Sequence, residues 1–164
     1  MIFYSVWFFY IFYRIAELIL SKRNEKKLNN PLEIGKKQRF IMIVIHSLWF
    51  LSMLIEYQFK RNDLLLHYWP IIPLLLCTVV RQLSICHLGK YWNTKIFTLS
   101  SEPLVKRGLY KFIKHPNYYI VMIEIIFIPL LFGLNFTAAI FGITNIIFLM
   151  GRIKTEELSH KERC

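Results

Sequence analysis

The sequence predicts an all-α, polytopic membrane protein with about five transmembrane helices, the last two forming a helical hairpin. Three observations predict it. Of the 164 residues 55% are hydrophobic, with a mean hydropathy of +0.42, which is more than one soluble domain of that size needs. The apolar residues gather in four long blocks, and the cations gather between those blocks, as they do on a cytoplasmic membrane face. Fourteen Phe, nine Tyr and four Trp suit a chain that lies in lipid or at its interface. A single membrane-embedded domain spanning 1–164 is expected, without internal repeats.

Residues 2–20 form the first block. No basic segment precedes it and no small-residue cleavage site follows it, so it reads as a retained span and not a signal peptide. Residues 40–59 form the second block and 64–86 the third. The fourth runs from Tyr118 to Met150 and is broken by Gly133, Leu134 and Asn135. It is too long for one span. Each half, 118–132 and 136–150, makes roughly 22 Å of helix against a hydrocarbon core of about 30 Å. A hairpin follows, and its two roots lie side by side on one face.

The formal net charge is +11. On a soluble domain that would raise nucleic acid as a partner; here the cations sit in loops, and nucleic acid is set aside. The loop 21–39 carries Lys22, Arg23, Lys26, Lys27, Lys36, Lys37 and Arg39. The loop 87–117 carries Lys90, Lys95, Lys106, Arg107, Lys111 and Lys114, and the tail carries Arg152, Lys154, Lys161 and Arg163. The connection at 60–63 is short and the hairpin tip is uncharged. All three basic segments share one side if the N-terminus is outside and the C-terminus cytoplasmic. Cys77, Cys86 and Cys164 show neither metal spacing nor a disulfide framework, and no three residues follow Cys164 as prenylation would need. His46, His67, His87 and His160 have no metal or haem spacing and read as structural or interfacial. No metal is expected.

The stretch RGLYKFIKHPNYYI, 107–120, is where chemistry concentrates. Pro116 suits the first turn of a helix, because its missing N–H would be unpaired there anyway. His115 then sits at the cap, beside free N–H groups able to hold a carboxylate. Tyr110, Tyr118 and Tyr119 offer ring faces to a cation. A ligand with both a carboxylate and a cation fits, and S-adenosylmethionine has both. On local pattern alone, a plain helix start with an aromatic belt and snorkelling lysines is the simpler reading of the same residues.

A second cluster is GRIKTEEL, 151–158. Arg152 and Glu156 share a helix face at i,i+4, and the hairpin is expected to bring them and Glu157 beside His115. The acids could hold ribose hydroxyls or an amino group, and Arg152 an anionic substrate; the alternative is an interfacial ion pair. Charges within the spans are a third signal. Arg14 and Glu17 are i,i+3 partners that can neutralise each other. Glu56 lies near the outer end of its span, within reach of water. Arg81 has no acid near it in sequence, and either snorkels or lines a substrate cavity.

Taken together, RGLYKFIKHPNY and RIKTEEL resemble the isoprenylcysteine carboxyl methyltransferase family of integral-membrane enzymes. That pattern runs Gly-x-Tyr, then Arg-His-Pro-x-Tyr at a helix start, a hairpin, an Arg and a Glu-Glu pair. Gly108, Tyr110, His115, Pro116, Tyr118, Arg152, Glu156 and Glu157 match it; Lys114 stands where Arg is usual and Ile120 where Gly is frequent. RIAELILSKRNE at 14–25, EIG at 33–35 and LGKYWNTKI at 88–96 look like a small bacterial branch associated with O-methylation of alkylpyrone-type polyketides. The resemblance implies S-adenosylmethionine as cofactor, a lipophilic acceptor and a bacterial plasma membrane. His115, Tyr118, Glu156 and Glu157 would hold the cofactor, with Tyr110 and Asn117 alongside. Arg152 and Glu156 would be catalytic, with Arg152 facing the acceptor; Arg81, read from its intramembrane charge and not from the resemblance, is the other candidate substrate residue. The chain ends without the Gly-x-x-Tyr-x-x-Tyr tail of the prenylcysteine enzymes, so methylation of a prenylated cysteine is the second expectation. A non-catalytic relative or partner subunit is the third.

Overall fold

The computed structural model describes residues 1–28, 31–61, 65–98 and 108–161. Of the features named above, Asn62, Asp63, Lys106, Arg107, Arg163 and Cys164 lie outside these residues, as does the side chain of His160. Among the described residues five α-helices form: α1 (Ile2–Glu25), α2 (Lys36–Lys60), α3 (Ile71–Leu88), α4 (Pro116–Leu131) and α5 (Asn135–Lys161). Four are long and apolar enough to cross a membrane, and α4 is the shorter fifth. At 16 residues it reaches roughly 24 Å, most of a hydrocarbon core. Helix α5 runs past the expected end of its apolar half, through Arg152, Glu156 and Glu157, to Lys161.

The turn between α4 and α5 depends on Gly133, whose φ of 65° is one that side-chain-bearing residues avoid. Neighbouring elements hold it. The Lys60 ammonium donates to the Gly133 carbonyl at 3.1 Å, and the His67 amide to the Leu131 carbonyl at 2.9 Å. Glu56 accepts the first amides of α5, from Phe136 at 3.1 Å and Thr137 at 2.7 Å, and pairs with Lys60 at 3.0 Å. The sequence placed Glu56 within reach of water; it is instead 8% exposed. It is a cap delivered from another helix, favoured because the N-terminus of α5 carries unpaired N–H groups and positive potential.

The apolar core fills the tip end of the bundle. Phe3 stacks on Tyr57 at 3.7 Å and meets Phe132 edge-on. Trp49, Met53, Ile125, Ile128, Leu134 and Leu149 are all buried beside them. Here α1 also touches α2, the Trp7 indole donating to the Phe50 carbonyl at 3.1 Å.

The root end is built differently. A short antiparallel ribbon, β1 (Leu32–Ile34) against β2 (Ile96–Thr98), ties the two basic loops together with Glu33 opposite Phe97. It uses the EIG segment and the end of WNTKI. Lys95 pairs with Glu25 at 2.9 Å and Glu33 at 3.5 Å, and Arg39 with Glu33 at 3.0 Å. The polar face at the end of α1 grips the chain after α3: Asn24 donates to the Trp92 carbonyl at 2.8 Å, and Ser21 to the Asn93 side chain at 2.6 Å. Three residues in extended conformation per strand leave no hydrophobic period to read, so the ribbon is absent from the sequence pattern.

Candidate active site

At the root end Pro116 opens α4, and His115 is its cap residue. No side chain among the described residues caps this helix start; Pro116 has no N–H and the Tyr118 amide bonds the His115 carbonyl at 3.1 Å, which leaves the Asn117 amide to meet an anion. The rings of His115 and Tyr118 stack at 5.6 Å. Helix α5 returns alongside. His115 Nδ1 lies 3.6 Å from Glu156 Oε2, and Nε2 lies 3.5 Å from Glu157 Oε1. Nε2 is buried and makes no hydrogen bond among the described residues.

The Tyr118 hydroxyl donates to Glu156 at 2.6 Å and accepts from Arg152 Nε at 3.1 Å. That hydroxyl therefore links the two residues on the face of α5. Arg152 is 3% exposed. Its other nitrogens reach the Thr94 carbonyl at 2.5 Å and the Met42 sulfur at 3.2 Å. Each contact comes from a different element, so the guanidinium orientation is set by α2, α4 and the segment before β2 together. An interfacial ion pair between neighbours on one helix would not be buried in this way.

Arg81 does not snorkel. It is 1% exposed and donates to Glu17 at 2.5 Å, to Asn117 at 3.3 Å and to Glu124. Arg14 binds the same two acids, Glu17 at 2.8 Å and Glu124 at 2.7 Å. Two cations and two carboxylates thus balance inside the bundle, where lone charges would be costly. Glu124 escaped the sequence reading. The signal was there: Arg81 lacked a partner, and one carboxylate in the apolar run IVMIEIIF needed one.

A cavity of about 580 Å³ joins these groups. Its polar end holds Tyr110, His115, Asn117, Tyr118, Arg152 and Glu156, and Arg81 borders it. Its apolar wall is formed by α1 and α2, with Ile15, Leu18, Ile43 and Leu51 among the lining residues. Those four are also 46–51% exposed, so this apolar wall is not sealed inside the bundle. His46, read from sequence as structural or interfacial, lines it too. Glu157 and Tyr119 do not; both lie on a separate groove beside α3 and α4, on the far side of His115. Burial pushes the Tyr110 phenol up to about 12, partly offset by a hydrogen bond with Ser84. Tyr110 therefore stays a neutral hydroxyl.

The residues suit S-adenosylmethionine on this geometry. An uncapped helix start accepts a carboxylate, the orphaned His115 Nε2 can meet a polar group, and the Glu156 carboxylate and aromatic faces accept a cation.

The model of the isoprenylcysteine carboxyl methyltransferase (ICMT) family matches residues 70–161. The chain is 36% identical over 152 residues to the uncharacterized protein YpbQ of Bacillus subtilis (strain 168), covering 91% of this chain and 90% of that protein. It is 28% identical over 154 residues to an uncharacterized protein of Haemophilus influenzae, covering 90% and 89%. No solved structure matches the chain. The matched region holds α3, α4 and α5 and with them His115, Tyr118, Arg152, Glu156 and Glu157; the chain belongs to the isoprenylcysteine carboxyl methyltransferase family of membrane methyltransferases that use S-adenosylmethionine.

Proposed function

We propose that this protein is an S-adenosylmethionine-dependent O-methyltransferase acting on a lipophilic acceptor at the cytoplasmic membrane face. One observation carries the reading: a single cavity joins a charged, hydrogen-bonding end to an apolar wall that opens toward lipid. The cofactor, when bound, supplies an electrophilic methyl group on a sulfonium. His115, Asn117, Tyr118, Glu156 and Tyr110 hold it at the polar end, and Glu157 steadies His115 from outside. Arg152 faces the acceptor oxygen. Arg81 serves the same site by holding Asn117. The acceptor enters between α1 and α2. Holding two reactants in line in a site without bulk water can lower the barrier by several kcal/mol.

The N-terminus is outside and the C-terminus cytoplasmic, which places the polar end where the cofactor is made. The acceptor is a long-chain, hydroxylated ring of the alkylpyrone type. A prenylated cysteine carboxylate is the second reading, favoured by the buried Arg152, which could pair with a carboxylate.

The test has two parts. Calorimetric titration of S-adenosylmethionine into detergent-purified protein should show binding. Methylation of long-chain pyrones and resorcinols should then outpace that of a farnesylcysteine analogue. Faster transfer to the farnesyl compound would select the second reading. Absence of cofactor binding would leave a non-catalytic membrane relative or partner subunit.

A further inference from the structure

We infer that His46 receives the acceptor's hydroxyl group and takes its proton, so that the acceptor is a neutral ring alcohol, phenolic or enolic, and not a carboxylate. The inference deepens the proposed reaction and rests on that reading. His46 lies on α2, outside the region matched by the family model.

Three observations lead to it. First, depth: Met42 touches Arg152 through its sulfur, and His46 lies one helical turn farther along α2, roughly 6 Å deeper. The His46 ring folds back toward Met42 through its Nδ1, so a reacting acceptor oxygen that lies between Arg152 and His46 can meet both. Second, tautomer: His46 Nδ1 bonds the Met42 carbonyl at 2.8 Å. A carbonyl only accepts, so in the neutral ring the proton is on Nδ1 and Nε2 keeps a lone pair. Nε2 makes no hydrogen bond among the described residues, and His46 lines the cavity. Third, competition: the nearby carboxylates are engaged, and His115, which also lines the cavity, is assigned to the cofactor. Arg14 and Arg81 hold Glu17, and Tyr118 donates to Glu156. Arg14, Glu17 and Arg81 line the same cavity from α1 and α3 with their charges already paired.

A ring hydroxyl that enters through apolar lipid does so protonated, because burial disfavours the anion. It donates to Nε2. As the oxygen forms its bond to the methyl carbon, the C–S bond breaks and its electron pair stays on sulfur. The hydroxyl proton moves to Nε2, giving an imidazolium that returns it to water once product leaves. An acceptor that arrives from water as a carboxylate anion brings no proton and gains nothing from this nitrogen.

The experiment measures binding of a long-chain 5-alkylresorcinol to cofactor-free protein in detergent, followed by tryptophan fluorescence. Wild type, His46→Ala and His46→Gln are compared, with the dimethyl ether of the same resorcinol as a ligand that has no proton to donate. Loss of one neutral hydrogen bond predicts three- to tenfold weaker resorcinol binding in His46→Ala. His46→Gln, which retains an acceptor oxygen, should bind close to wild type yet transfer methyl at least tenfold more slowly, since glutamine cannot take a proton. The ether should bind all three alike. Equal resorcinol affinity in wild type and His46→Ala overturns the inference, as does equal weakening of resorcinol and ether, which would mean packing alone. Undetectable resorcinol binding to wild type overturns it as well. Cofactor titration runs in parallel: its failure would sink the methyltransferase reading and leave the binding comparison intact.

Discussion

His115, Tyr118, Arg152 and Glu156 act as one unit because a single hydroxyl, that of Tyr118, bonds both α5 residues. Removing a hydrogen bond to a charged ligand group costs about 1.5–3 kcal/mol, or roughly ten- to hundredfold in affinity. His115→Ala and Glu156→Gln are each expected to weaken S-adenosylmethionine binding by that order while the protein still inserts. The double variant should depart from the sum of the singles, since both residues share one site. Calorimetric titration checks both points; wild-type affinity in both variants would reduce the segment to a membrane edge. Tyr118→Phe should act on Arg152 more than on the cofactor. It leaves a buried guanidinium nitrogen unpaired, which costs about 1–3 kcal/mol, seen as a lower midpoint in detergent denaturation. Tyr110 supplies a pH test. Its folded value is raised to about 12 from an ordinary 10, so its contribution to stability is complete below pH 10 and is lost as pH rises toward 12. The stability gap between wild type and Tyr110→Phe should change only in that window.

Between helices, the dominant feature is the four-charge cluster that joins α1, α3 and α4. Within the bundle the cluster ties α1 to α3 and α4 through both of its charged residues. Breaking a buried pair by removing one partner typically costs 3–5 kcal/mol, because the other charge stays behind. Arg81→Met and Glu124→Leu should each destabilise by that order. Together they remove one cation and one anion, leave Arg14 and Glu17 paired, and should cost much less than the sum. Unfolding in graded denaturing detergent measures this, and additive losses would rule out a balanced cluster.

For the whole molecule, the expectation is one polar face and one direction of entry for each reactant. A reporter at the C-terminus should read cytoplasmic, and one in the connection between α2 and α3 should read outside. Both on the same side would refute the orientation. Bulky substitution at the lateral opening should separate the two ligands: Leu51→Trp narrows the apolar wall, so KM for a long-chain acceptor should rise several-fold with cofactor affinity unchanged. Equal effects on both would place acceptor entry elsewhere.

Composition and charge placement were enough to determine a five-helix membrane fold with a terminal hairpin, because lipid leaves few choices to a backbone that must satisfy its own hydrogen bonds. The break at Gly133 and the pairing of His115 with Glu156 followed from length alone: two half-spans must return to the same face. Local pattern could not see what comes from other elements. Glu56 as a cap for α5, Glu124 as the partner of Arg81, and Met42 and Thr94 as the holders of Arg152 are all contacts between residues distant in the chain. His46 is the clearest case. In sequence it is one histidine in an apolar run; only the packing of the helices puts it on a cavity wall. Charge and hydrophobicity are properties of residues and are written in the chain. Which polar atom ends up partnered, and which faces an open space, is decided by how the helices pack.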